Sequence, residues 1–141
     1  MNQPVHVVCP HCMTTNRVPG PRLTEHPNCG HCRKPLFTAH PLVLTNANFE
    51  RHLKVDDLPV LVDFWAPWCG PCRRQGQILH DAAATFPAGV VVAKVNVDDE
   101  PALAARFGVR SIPTLVVLKD GQEDKKFVGV QDAASLLAAV S

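Results

Sequence analysis

Tyrosine is absent from this chain, and aromatic residues of all kinds make up only 6% of it. In the first 40 residues the shortage is acute, because Phe37 is the single aromatic there. Single-stranded nucleic acid is held by stacking bases on such rings, so that class of partner is not expected. Net charge is lacking too: 14 Lys and Arg face 13 Asp and Glu, a formal balance of +1. That gives no strong field to gather nucleic acid or a membrane surface. No run approaches the ~18 consecutive apolar residues of a membrane span. The start, Met1 to Cys9, lacks a basic region followed by a long apolar stretch, so no secretory leader is read and a cytoplasmic location is expected. In a reducing compartment six cysteines are poor candidates for three structural disulfides, and metal or redox use is favoured. The glycine pattern of a dinucleotide site is also missing, so no bound nucleotide is expected.

What is present fits one ordinary domain with a small appendage: 141 residues, 46% hydrophobic and 19% charged. Composition shifts near residue 41. Seven of the 13 prolines lie at or before Pro41, and five of the seven histidines lie within the first 40 residues. That segment has four basic residues (Arg17, Arg22, Arg33, Lys34) against one acid, Glu25. Its apolar content is too small to offset its own ordering entropy. Cys9-Pro-His-Cys12 and Cys29-Gly-His-Cys32, separated by sixteen residues, supply an alternative source of order. Two C-x2-C turns at this spacing aim four sulfurs at one zinc ion and leave no open position, so a structural site is expected. Zinc binding of ~10–16 kcal/mol in comparable peptides suffices to fold such a segment. Three other readings compete: independent redox catalysis by either motif, ligation by His11 or His31 in place of a cysteine, and a nucleic-acid-binding ribbon. Neither motif reads as following an apolar strand or opening a helix, which counts against the first. Arg33 to His40 reads as a linker.

The rest of the chain is organised around Val60 to Cys72. The apolar run Val60 to Ala66, rich in Val, Phe and Trp, predicts a buried strand with one acid, Asp63, in its middle. Trp68 and Cys69-Gly-Pro-Cys72 follow, and then a helical pattern (Ile78, Leu79, Ala82, Ala83, Phe86) across Arg73 to Phe86. Cys69 therefore falls where strand becomes helix, and the positive end of the helix dipole favours its thiolate. A C-x-x-C in that setting reads as a redox pair. Burial would raise the pKa of Asp63 and suit it to take a proton from Cys72 through water; the blander reading is an exposed carboxylate at a strand edge. Around this centre, Pro41 to Thr45 reads as a first strand. Thr45-Asn-Ala-Asn48 caps a helix with Phe49, Leu53 and Val55 on its apolar face. Val90 to Val97 reads as a strand, Asp98 to Phe107 as a helix stopped by Gly108, Leu115–Leu118 and Lys125–Val128 as a hairpin through Lys119-Asp-Gly121, and Asp132 to Val140 as the last helix. The order β-α-β-α-β-α-β-β-α places a mixed sheet between helices, an α/β fold.

Trp68-Cys-Gly-Pro-Cys72 preceded by Val62-Asp-Phe-Trp-Ala66, then Lys94-Val-Asn-Val-Asp98, Ser111-Ile-Pro-Thr114 and Gly129, resembles the thioredoxin family over roughly Pro41 to Ser141. The four-cysteine segment resembles the zinc-binding extension of the bacterial thioredoxin 2 subgroup. The resemblance implies a thioredoxin fold over residues 41–141 and a zinc-ribbon-like module over residues 1–40. It implies a protein-disulfide reductase in which Cys69 attacks, Cys72 resolves and Asp63 assists. Pro113 is implied to be cis, where trans is the ordinary expectation for X–Pro, and the backbone beside it to bind target chains in extended form. Trp68, Gly70, Pro71, Ile112, Val128 and Gly129 would make the substrate surface, and Lys94 would lie near Asp63. Trp65, Phe64 and Phe127 read as packing residues. The implied partners are thioredoxin reductase and disulfide-containing proteins, with the chain a monomer. Gln77 stands where the family has a kink-forming proline, which puts that kink in doubt. The Gly-Pro dipeptide resembles reducing members and speaks against an oxidase or isomerase. A zinc-dependent binding or oxidant-sensing module on a thioredoxin platform is the alternative.

Overall fold

The computed structural model describes residues 4–37, 41–55, 58–87 and 89–140, without the side chains of residues 53–55 and 84. The side chains of Leu53 and Val55, expected on the apolar face of the first helix, and residues 38–40 of the expected linker thus lie outside what is described. The chain begins with an antiparallel hairpin, β1 (Pro4–Val8) and β2 (Thr15–Pro19), followed by a 3-10 turn over Gly20–Glu25. β3 (Leu42–Val43), α1 (Phe49–Val55), β4 (Val60–Trp65), α2 (Gly70–Ala82), β5 (Val91–Asn96), α3 (Pro101–Arg106), β6 (Thr114–Lys119), β7 (Gln122–Val128) and α4 (Ala133–Val140) follow. The five-stranded sheet runs β3-β5-β4-β6-β7. Its β3, β5 and β4 are parallel, and β6 and β7 run antiparallel to their neighbours.

Successive side chains of a strand point to opposite faces of the sheet, and β4 divides its residues accordingly. Val60, Val62 and Phe64 enter a core with Leu44, Phe49, Val95, Leu103 and Val116. Leu61 enters the other, with Leu79 of α2, Leu115 and Val117 of β6 and Leu136 of α4. Asp63 and Trp65 share the parity of Leu61, so the central acid faces the side of the sheet on which α2 packs. Asp120 and Gly121, with φ of 53° and 76°, make the β6–β7 turn, the paired positive angles that suit a two-residue hairpin. The N-cap of α1 is built as the sequence suggests: the Thr45 hydroxyl accepts from the Ala47 N–H (3.2 Å) and the Asn48 side chain accepts from the Thr45 N–H (2.8 Å).

Two expectations are corrected. Cys9 does follow a strand, because Val7 and Val8 of β1 are buried; five residues with a single alternation were too short to register as one. Arg33 to Phe37 is not linker. The Cys29 N–H donates to the Lys34 carbonyl, the Leu36 N–H donates to the Pro27 carbonyl, and Leu36 is buried. As the composition suggests, the N-terminal module does not rely on its own apolar content alone: Val7, Cys9, Val18, Cys29 and Leu36 pack with Leu58 and Val91 of the larger unit. α2 also runs unbroken past Gly76 and Gln77, whose side-chain amide donates to Asp81 Oδ1 (2.8 Å).

Candidate functional site

Cys69 is the N-cap of α2, with extended backbone (φ −88°, ψ 111°), and its sulfur accepts from the Cys72 N–H at 3.2 Å. Gly70 and Pro71 are the first residues of the helix, where a proline lacking its N–H costs nothing. Cys69 and Cys72 are joined by a disulfide with Cα atoms 5.2 Å apart. Both are buried in this oxidised state, at 5% and 3% exposure. The neighbouring loops account for that. The Ile112 carbonyl lies 3.8 Å from Cys69 Sγ, and the Ile112–Pro113 peptide is cis. The Gly129 N–H donates to the Pro113 carbonyl at 2.9 Å, so the end of β7 closes over the same corner.

Around the sulfurs an apolar surface is left open. Trp68 is 68% and Val128 63% exposed, with Ile112 and Gly129 half-buried beside them. The Trp68 indole is held by its N–H, which donates to Asp98 Oδ2 at 2.9 Å. Gly129 has φ of 93°, an angle that side-chain-bearing residues rarely adopt. A cleft of about 370 Å³ lies elsewhere, against Leu36, Phe37, Leu79 and Phe86, and no cysteine lines it. The redox pair lies just beneath the open apolar surface of Trp68 and Val128.

Asp63 is buried, and its Oδ1 has no hydrogen-bond partner among the described residues. Burial raises its pKa from the ordinary 3.8 to about 7, against the pull of the Lys94 ammonium. Lys94 is the register partner of Asp63 on β5 and lies over the Trp65 ring, 5.2 Å from its centroid. A buried carboxyl that titrates near neutrality is suited to hold or release a proton at physiological pH. The edge-strand reading of this acid fails because β4 is central to the sheet.

The other four thiols form a second cluster. The sulfurs of Cys9, Cys12, Cys29 and Cys32 all lie within 4.8 Å of one another. Cys9 and Cys32 are 3.6 Å apart, and Cys12 and Cys29 are 3.7 Å apart. A tetrahedron with zinc–sulfur bonds of 2.3 Å has edges of about 3.8 Å, so the donor set fits zinc. Backbone N–H groups of His11 and His31 point at Cys9 and Cys29 (3.4 Å each), while both histidine side chains are exposed. The Cys32 backbone N–H, ahead of other donors, draws Cys29 down to about 5, whereas burial pushes Cys9 up to about 12. A cation at the centre offsets that cost by taking all four as thiolates. The cluster packs against Leu58 and Val91, before and at the start of β4 and β5. The redox pair follows the other end of β4, roughly 20 Å of strand away at ~3.3 Å per residue.

Two residues that the sequence did not single out support these sites. Asn16 donates from Nδ2 to Cys29 Sγ (3.4 Å) and accepts the Gly30 N–H on Oδ1 (2.9 Å). Gln75, fully buried, exchanges two hydrogen bonds with the backbone of Gln131. The partners lie thirteen and 56 residues away, so local pattern carries no sign of either.

Comparison with known proteins agrees with this geometry. The family model described as Thioredoxin matches residues 40–141. The zinc-ribbon model described as Thioredoxin 2, N-terminal, matches residues 8–34. Thioredoxin C-3 of Corynebacterium nephridii is 42% identical over 123 residues, covering 87% of this chain and 84% of that protein. The thioredoxin of Haemophilus influenzae is 49% identical over 81 residues, 57% of this chain and 76% of that protein. A mutant thioredoxin structure from Halobacterium salinarum superposes with a TM-score of 0.65 at 35% identity, covering 72% of this chain and 88% of that one. With its thioredoxin fold, its N-terminal ribbon and its disulfide at the start of α2, the chain belongs to the thioredoxin family and is a thiol–disulfide oxidoreductase.

Proposed function

We propose that Cys69 is the nucleophile and Cys72 the resolving thiol in the reduction of target-protein disulfides. In the dithiol state the Cys69 thiolate attacks one sulfur of the target disulfide. A mixed disulfide forms, and the target's other sulfur leaves as thiolate. Cys72 then gives its proton to the Asp63 carboxylate through water and attacks Cys69 Sγ. The intermolecular bond breaks, the target leaves with both sulfurs reduced, and the chain holds the Cys69–Cys72 disulfide. The N-cap position supports the first step, since the Cys72 N–H and the helix dipole both favour negative charge on Cys69 Sγ. The observation that carries the reading is the Cys69–Cys72 disulfide at the start of α2, beneath the Ile112 carbonyl. Trp68, Gly70, Pro71, Ile112, Val128 and Gly129 form the docking surface, with the backbone beside Pro113 taking the target in extended form.

Two electrons per cycle come from a partner, which we assign as thioredoxin reductase. The protein works as a monomer in the cytoplasm. Residues 1–40 form the zinc module, with Cys9, Cys12, Cys29 and Cys32 holding one structural ion, and residues 41–141 the redox domain. The ion supplies no step of the reaction; it fixes the two knuckles. Reduced Cys72→Ser is expected to trap a Cys69-linked mixed disulfide with disulfide-containing targets such as insulin. Trapping through any other cysteine, or none, overturns the order of attack. A second reading, oxidant sensing, is favoured by the half-buried Cys12 and Cys32: peroxide would oxidise the zinc thiolates and release the metal. Zinc retained through peroxide treatment, with unchanged kinetics, removes it.

A further inference from the structure

Gln75 is the one fully buried polar side chain on α2, with no exposed surface. It lies three residues after Cys72, one turn along the same helix face. Its amide is used as a peptide group would be: Nε2 donates to the Gln131 carbonyl at 3.1 Å, and Oε1 accepts the Gln131 N–H at 2.7 Å. The Gln131 side chain in turn donates to the Gly129 carbonyl at 3.2 Å. The Gly129 N–H donates to the Pro113 carbonyl at 2.9 Å, and the Ile112 carbonyl stands 3.8 Å from Cys69 Sγ. These contacts close a ring from the redox helix through the segment after β7 to the Pro113 loop and back to the attacking sulfur.

We infer that Gln75 is a positioning residue that fixes the Val128–Gln131 segment against α2 and so sets the target-docking surface at the right height above Cys69. The inference rests on the reading that this surface receives the target chain. Gln75 touches neither substrate nor sulfur; it acts through Gln131 and Gly129. An apolar residue of the same length fills the site but leaves the Gln131 N–H and carbonyl without their partners, and the segment is then free to shift.

The test compares a protein disulfide with a small one. Reduced Gln75→Met should react with 5,5′-dithiobis(2-nitrobenzoic acid) within about twofold of the wild-type rate, because a small disulfide does not use the docking surface. Its KM for insulin should rise about three- to tenfold with kcat nearly constant, the loss expected for one or two hydrogen bonds. The Gln131 amide should lose protection in hydrogen exchange. Gln131→Ala, which removes only the tie to the Gly129 carbonyl, should move KM the same way by less, and it carries the test if Gln75→Met does not fold. Unchanged KM in both variants, while Ile112→Ala raises it, makes Gln75 a packing residue and overturns the inference with the docking surface intact. If Ile112→Ala also leaves KM unchanged, the docking surface itself is misplaced and the inference falls with it.

Discussion

Asp63 keeps its proton in the folded protein to about pH 7, whereas the unfolded chain releases it near 3.8. Between those values the folded state binds more protons, so this residue's contribution to stability falls as pH rises through that window and levels off above it. Asp63→Asn removes the penalty. In the oxidised protein the variant should match wild type near pH 4 and exceed it above pH 7 by on the order of 4 kcal/mol, at 1.36 kcal/mol per unit. Urea denaturation at pH 4, 5.5 and 8 checks this, and an equal difference at all three contradicts it. The same variant should slow resolution of the mixed disulfide without abolishing it. Asp63 was legible through the thioredoxin resemblance, since its neighbours in Val60 to Ala66 alone leave a solvent-facing carboxylate at a strand edge as the plainer reading. Asn16 and Gln75 were not, because each gains its role from a backbone group distant in sequence and each sits among polar neighbours that read as surface.

At the level of elements, α2 carries the redox pair at its start and its anchor further along. Leu79 is 3% exposed and packs with Leu61, Leu115, Val117 and Leu136. It fixes the axis from which Cys69 and Cys72 project. Leu79→Ala should cost roughly 2–5 kcal/mol by the lost contacts and the cavity left behind, read as a lower urea midpoint with unchanged slope. A loss under about 0.5 kcal/mol, the range of surface positions, would mean that α2 is held chiefly by other contacts. The strands β4, β5 and β6 and the helices α2 and α4 were legible because their apolar periods are long. The sequence pattern runs the first strand over Pro41 to Thr45, but β3 pairs only through Leu42 and Val43. β1 was missed altogether: its burial is completed by Leu58 and Val91, which no local window contains. The Arg33 to Phe37 segment failed for the same reason, its polar composition masking the one buried anchor, Leu36.

Over the whole molecule, the hairpin module and the redox domain share a core while their sulfur clusters stand at opposite ends of β4. Packing between the two therefore bears on stability more than on chemistry. Removal of residues 1–40 uncovers Leu58 and Val91, and Arg51 loses its hydrogen bond to the Thr15 hydroxyl (3.0 Å). The remaining chain should still reduce insulin, but should be less stable by roughly 1–3 kcal/mol for partial exposure of two aliphatic side chains. Full-length stability in the truncated chain, or loss of its activity, would contradict that division of labour. The four cysteines were legible from spacing alone, and the redox pair from its place between strand and helix. How the two units lean on each other was not, because that contact is written in single residues scattered through both.

The claim on which the rest depends is that Cys69, alone among the six thiols, is the sulfur that attacks. The zinc-loaded protein, reduced and treated at pH 7 with one equivalent of iodoacetamide, is the direct measurement, with peptide mapping to locate the label. Modification confined to Cys69 is the predicted result. Label on Cys72 first, or spread evenly across the pair, would contradict it.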